Sequence, residues 1–125
     1  MRVLWIDDDA EGNRSLINYL SERGAQVYNA VDLASATEML TVIRPTVLLS
    51  DITRGDNANA GLDDLAVLRE NESYLGPVIF YTGRVTPTRV ERARELGAIG
   101  VTNQADTVLR WLQSVVVQNR LSPDR

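Results

Sequence analysis

Lysine is missing from this chain: all 13 of its basic residues are arginine. A site that needs an ammonium group has none to draw on. Cysteine is missing too, so the fold owes nothing to disulfides or thiolate metal sites, which accords with a reducing cytoplasm. No basic run occurs, and 17 acidic against 13 basic residues leave a net charge of −4. Direct binding to DNA or RNA is therefore disfavoured, because a string of phosphates would meet no cluster of cations. Long apolar runs are also lacking. The first, Val3 to Ile6, stops at three aspartates and is too short for a signal peptide or a membrane span, so a soluble, cytoplasmic protein with no membrane partner is expected. Aromatics are few, and Trp5 in mid-run and Trp111 beside an apolar helical stripe read as packing residues.

What is present is a regular alternation. A length of 125 residues, 44% apolar, suits one domain with a single buried core. Apolar runs of four to six residues alternate with stretches of helical period, and the pattern reads as five β-α units. Strands are expected at Val3 to Ile6, Gln26 to Ala30, Thr46 to Ser50, Val78 to Tyr81 and, weakly, Ile99 to Thr102. Helices are expected from about Ala10 to Arg23 with Gly24 as its stop, from Asp32 as cap to Arg44-Pro45, after a loop from Ile52 to Gly61, from Thr86-Pro87 to Leu96, and from about Asp106 to Asn119. Arg89, Arg92 and Arg94 give the fourth helix a basic, solvated face. Val117 and Leu121 fall off the last buried stripe and suit a connecting helix or a dimer contact.

Alternating strands and helices imply parallel pairing, with every strand C-terminus along one edge of the sheet. Ligands of open α/β sheets bind at that edge, where the strand order reverses. Three apolar runs end there in residues that can hold a phosphoryl group: the first in Asp7, Asp8 and Asp9, the third in Asp51, and the fourth in Thr82-Gly83. Carboxylates that close repel one another and raise each other's pKa unless a cation sits among them, and an all-oxygen cluster with room for water suits Mg²⁺.

These motifs resemble the receiver domain of two-component response regulators over nearly the whole chain, about Arg2 to Asn119. The acidic pair is Asp7-Asp8, the phosphoacceptor position Asp51, the Thr-small pair Thr82-Gly83, and a Gly-Ala pair precedes the fifth strand as Gly97-Ala98. The resemblance implies a three-layer, flavodoxin-like (βα)5 fold with a five-stranded parallel sheet, a receiver domain over residues 1–121 and a tail or linker stub at 122–125. It also implies that Asp8 and Asp51 bind Mg²⁺ directly, Asp7 through water and Thr53 through its backbone carbonyl, while Thr82 hydrogen-bonds a phosphoryl oxygen. In such a site a carboxylate attacks phosphorus in line while the metal and donors absorb charge on the equatorial oxygens.

Departures from the family pattern are as informative. The position of the family's lysine is Gln104, followed by Ala105 instead of proline, and the aromatic switch position is Val101. A neutral amide forgoes a charge-assisted contact worth about 1 to 2 kcal/mol more. The loop after Asp51 has Gly55 where the family has proline and is about two residues longer. Arg54 and Arg84 lie on the correct edge to compensate for the missing lysine, Arg84 being the better placed in sequence. Arg84 could instead pair with Asp51 and close the pocket.

The expected function is an atypical receiver that accepts a phosphoryl group on Asp51 in a histidine-to-aspartate relay, with a sensor histidine kinase or phosphotransfer protein as partner and a homodimer contact through the fourth and fifth helices. It is a signalling module, not an enzyme. The competing reading is a pseudo-receiver that docks or dimerises without phosphate. A phosphohydrolase with an aspartyl intermediate is disfavoured, because Thr53 stands where its best-known class would carry a second carboxylate.

Overall fold

The computed structural model describes residues 1–121, so the expected tail at 122–125 lies outside the described residues. The strands are β1 (Arg2–Ile6), β2 (Gln26–Ala30), β3 (Val47–Ser50), β4 (Val78–Tyr81) and β5 (Gly100–Thr102). The helices are α1 (Arg14–Glu22), α2 (Leu33–Ile43), α3 (Ala60–Glu70), α4 (Pro87–Glu95) and α5 (Ala105–Leu121), with a short 3-10 helix over Ala10–Asn13. All strand pairs are parallel and the order is β2-β1-β3-β4-β5. This is the expected three-layer α/β architecture.

Short apolar runs make these strands because both faces of the sheet are covered. One side of the alternation, Leu4, Ile6, Leu48, Val78 and Phe80, packs with Ala36 and Leu40 of α2, Leu62, Leu65 and Leu68 of α3, and Ala93 of α4. The other side, Val3, Trp5, Val47, Leu49 and Ile79, packs with Leu16 and Leu20 of α1 and Val108, Leu112 and Val115 of α5. Trp5 is fully buried, as its place in mid-strand suggests. Trp111 rests on β5, where a Cβ on Gly100 would stand 2.6 Å from its ring.

Local signals set the helix ends. Asp32 caps α2 through the Ser35 amide at 2.8 Å, with Ser35 reciprocating, and Arg44 closes that helix in the left-handed region at φ 51 ahead of Pro45. Thr86 caps α4 with Pro87 in the first helical position. Two expectations are revised. The chain from Ala10 opens as a 3-10 turn because the Asp9 carboxylate accepts the Gly12 amide and tightens it, so α1 begins only at Arg14. Gly61, expected to end a loop, is the second residue of α3: its amide donates to the Ile52 carbonyl at 2.9 Å.

Candidate phosphoryl and metal site

The strand order reverses between β1 and β3, and the residues that follow these two strands stand side by side. The Asp7 amide donates to Ala30 O at 2.9 Å and the Asp51 amide to Ile6 O at 3.0 Å, so each ladder runs one residue past its strand and holds its carboxylate at the sheet edge. Asp7, Asp8 and Asp51 each present an oxygen, and these oxygens lie within 4.8 Å of one another. Such a hard, anionic oxygen set fits a Mg²⁺-like cation. Asp7 and Asp51 are buried while Asp8 is exposed. Two sunken carboxylates and one that water reaches are thus available to hold such an ion.

Asp7 is held by neighbours that sequence reading did not single out for this purpose. Its Oδ1 accepts the Asp9 amide at 2.8 Å and its Oδ2 accepts Asn13 Nδ2 at 2.7 Å. Burial raises its pKa despite these bonds, with Asp8 and Asp9 adding to the rise. Burial also pushes Asp51 up to about 6, against the pull of Arg54 and with added repulsion from Asp7 and Asp8. Both acids therefore gain from a cation placed among them.

The guanidinium that meets Asp51 belongs to Arg54, not to Arg84. Arg54 Nη2 donates to Asp51 Oδ1 at 2.6 Å and Nε to Oδ2 at 3.4 Å, while Nη1 donates to Asp64 Oδ2 at 2.6 Å. The three side chains are only 10 to 14% exposed. Burial works against the charge on Arg54, but the two carboxylates outweigh it and raise its pKa. The long loop aims this arm: reciprocal backbone bonds between Arg54 and Asn57, at 3.0 and 3.1 Å, close a tight turn in which Gly55 takes φ 56.

The remaining sequence-predicted residues are distributed around the same cleft. Thr53, Thr82 and Arg84 line it. The Thr82 amide continues the β4–β5 ladder by donating to Thr102 O at 3.0 Å. Gln104 is exposed and turned aside, its Nε2 donating to Asn103 Oδ1 at 2.9 Å, and Asn103 takes the place on the cleft wall. Val101 is buried in the core. Arg89 also lines the cleft and is not simply part of a solvated face: its Nη2 donates to Thr53 Oγ1 at 2.9 Å and Ala58 O at 2.6 Å, and its Nη1 to Arg84 O at 2.8 Å. Arg92 pairs with Asp63 of α3 at 2.7 Å. Sequence reasoning missed Asp64, although an acidic residue beside the apolar stripe of Gly61, Leu65 and Leu68 is a readable signal.

The fold is shared with proteins of known structure. The chain is similar to a two-component response regulator from Clostridium difficile at 15% identity and TM-score 0.80, covering 93% of this chain and 95% of that one. It is similar to the chemotaxis protein CheY4 of Vibrio cholerae at 24% identity and TM-score 0.77, covering 91% and 97%. A response regulator receiver protein from Pseudomonas putida matches at 22% identity and TM-score 0.78, covering 90% and 95%. No protein-family model and no curated protein matches the sequence. The chain has the fold of response-regulator receiver domains.

Proposed function

We propose that this chain is an atypical receiver module that accepts a phosphoryl group on Asp51, with Mg²⁺ held by Asp7, Asp8, Asp51 and the Thr53 carbonyl. The observation that carries the reading is the convergence of three carboxylates at the point of strand-order reversal. The receiver fold and the cleft residues Thr53 and Thr82 support it.

In the transfer, an Asp51 oxygen attacks the phosphorus of a phosphohistidine on a histidine kinase or phosphotransfer protein. The new O–P bond forms as the P–N bond breaks, the imidazole nitrogen keeps the electron pair, and the ring, protonated on its other nitrogen, leaves neutral. Bound Mg²⁺ supplies charge neutralisation for the phosphoryl oxygens. Asp7, kept in place by Asn13 and the Asp9 amide, would fix one side of the cation seat, and Thr82, just past β4, lines the cleft that would receive the phosphoryl group. The product is a labile acyl phosphate, so the protein works as a signalling module without steady turnover.

Incubation with acetyl phosphate and Mg²⁺ tests this directly. A mass gain of one phosphoryl group that requires Mg²⁺ and vanishes in Asp51→Asn is expected; an unlabelled wild-type chain contradicts it. One observation favours a second reading, a phosphorylation-independent docking or dimerising module: Arg54 already engages both oxygens of Asp51. In that case Asp51→Ala leaves partner binding unchanged. Under either reading the partner is a protein, a self-contact through α4 and α5 is the candidate dimer surface, and the module is cytoplasmic. Among the described residues no helix is long and apolar enough to cross a membrane.

A further inference from the structure

We propose that Arg54 is the cation that grips the phosphoryl group on Asp51, and that Asp64 is the residue that positions it. The inference rests on the phosphoacceptor reading of Asp51 and names the group that does the work for which this lysine-free chain has no ammonium.

The division of labour within one guanidinium carries the inference. Nη1 is committed to Asp64 at 2.6 Å, whereas Nη2 and Nε face the two Asp51 oxygens. A planar fork fixed at one edge presents its other edge in a set direction, which a lysine on a flexible stem cannot do. When Asp51 becomes an acyl phosphate, the carboxylate charge is replaced by a larger negative charge on oxygens farther from the backbone. The donors that faced the carboxylate are then free to turn to those oxygens, and Asp64 keeps the arm from leaving for solvent.

Arg84 also lines the cleft, but among the described residues no hydrogen bond or ion pair aims its guanidinium at Asp51. Arg89 uses Nη1 and Nη2 on Arg84 O, Thr53 Oγ1 and Ala58 O. Gln104 is turned onto Asn103. The features of the β3–α3 loop that depart from the receiver pattern, its extra length and Gly55, are those that build the turn from Arg54 to Asn57 and return Arg54 over Asp51. Gly61 completes the seat by letting α3, and with it Asp64, close against the backbone of Asp51.

The resting contact has an opposite consequence for the metal, because a guanidinium on Asp51 competes with a divalent cation for the same oxygens. That opposition separates the proposed role from a structural one. In the full chain, Mg²⁺ affinity is read by tryptophan fluorescence, binding of beryllofluoride by ¹⁹F NMR, and labelling by acetyl phosphate. For Arg54→Gln we expect Mg²⁺ affinity equal to or tighter than wild type, with beryllofluoride binding and labelling weakened about tenfold or more, the scale of a lost charge-assisted contact. Arg54→Lys should recover part of that loss, and Asp64→Asn should weaken beryllofluoride binding by a smaller factor while Arg54 remains. Beryllofluoride binding as tight or tighter in Arg54→Gln, or unaffected by Asp64→Asn, overturns the proposal and leaves Arg54 a mere cover. Absence of labelling and beryllofluoride binding in the wild type overturns the phosphoacceptor reading itself, a separable result.

Discussion

Gly61 sits so close to Asp51 that a Cβ on it would stand 1.8 Å from the Asp51 carbonyl oxygen. The second residue of α3 must therefore lack a side chain for the helix to close against Asp51 at the end of β3. Gly61→Ala gains helix propensity but cannot be seated without moving α3. The expected result is a loss of about 3 kcal/mol in urea unfolding. Mg²⁺ affinity should weaken as well, because Asp51 and the loop bearing Thr53 shift with the helix.

Arg89 is the link between that loop and α4, with its three hydrogen bonds to Thr53, Ala58 and Arg84. Arg89→Ala should cost about 1 kcal/mol in stability. Amide exchange across residues 53–59 should quicken while the core strands stay protected. Unchanged exchange in that loop would show that the three bonds do not hold it.

On the proposed reading of Asp51 as phosphoacceptor, the buried Val101 offers no aromatic ring to carry a change from the cleft to the distal helices. Beryllofluoride with Mg²⁺ should move amide resonances in residues 51–61 and in the first turn of α4, where Arg89 sits, and leave the rest of α4 and α5 nearly still. Broad shifts across Thr86 to Gln113 would contradict this.

The metal-free protein should lose stability as pH rises through the Asp51 transition. Burial, opposed by Arg54, lifts this carboxyl from 3.8 to about 6, so between those values the folded chain holds a proton that the unfolded chain has released. Protons bound to the folded state stabilise it, hence the contribution of Asp51 is full below about pH 4 and is lost as pH rises from there through about 6. Asp7 acts in the same direction. Urea melts in chelator should show this slope, reduced in Asp51→Asn and in saturating Mg²⁺; a flat profile would count against the buried, crowded acids.

The sheet and the acid cluster are legible in the sequence because they depend on short-range pattern. Continuous apolar runs such as Val47 to Leu49 specify strands covered on both faces, and in a parallel sheet a residue just past a strand must lie at the common edge. Asp7, Asp8, Asp51 and Thr82 follow from that alone. The polar connections are less legible. Arg54 and Arg84 both lie on that edge in sequence, where Arg84 is the stronger candidate, and only the path of the loop, bent at Gly55 and bonded between Arg54 and Asn57, brings Arg54 to Asp51 instead. Asp64 lies too far along the chain to be linked with Arg54 by spacing. Gln104 and Asn103 differ by one residue at a strand end, and the cleft takes Asn103 because the Gln104 amide is tied to Thr102 Oγ1 at 3.0 Å and its side chain turns outward.

The most direct measurement is a crystal structure grown with Mn²⁺ in place of Mg²⁺ and with beryllofluoride. An anomalous peak is expected among the Asp7, Asp8 and Asp51 oxygens, with beryllium on an Asp51 oxygen and Arg54 Nη2 turned to fluorine while Nη1 stays on Asp64. A chain that shows no peak there, with Arg54 still covering both oxygens of Asp51, would contradict this expectation.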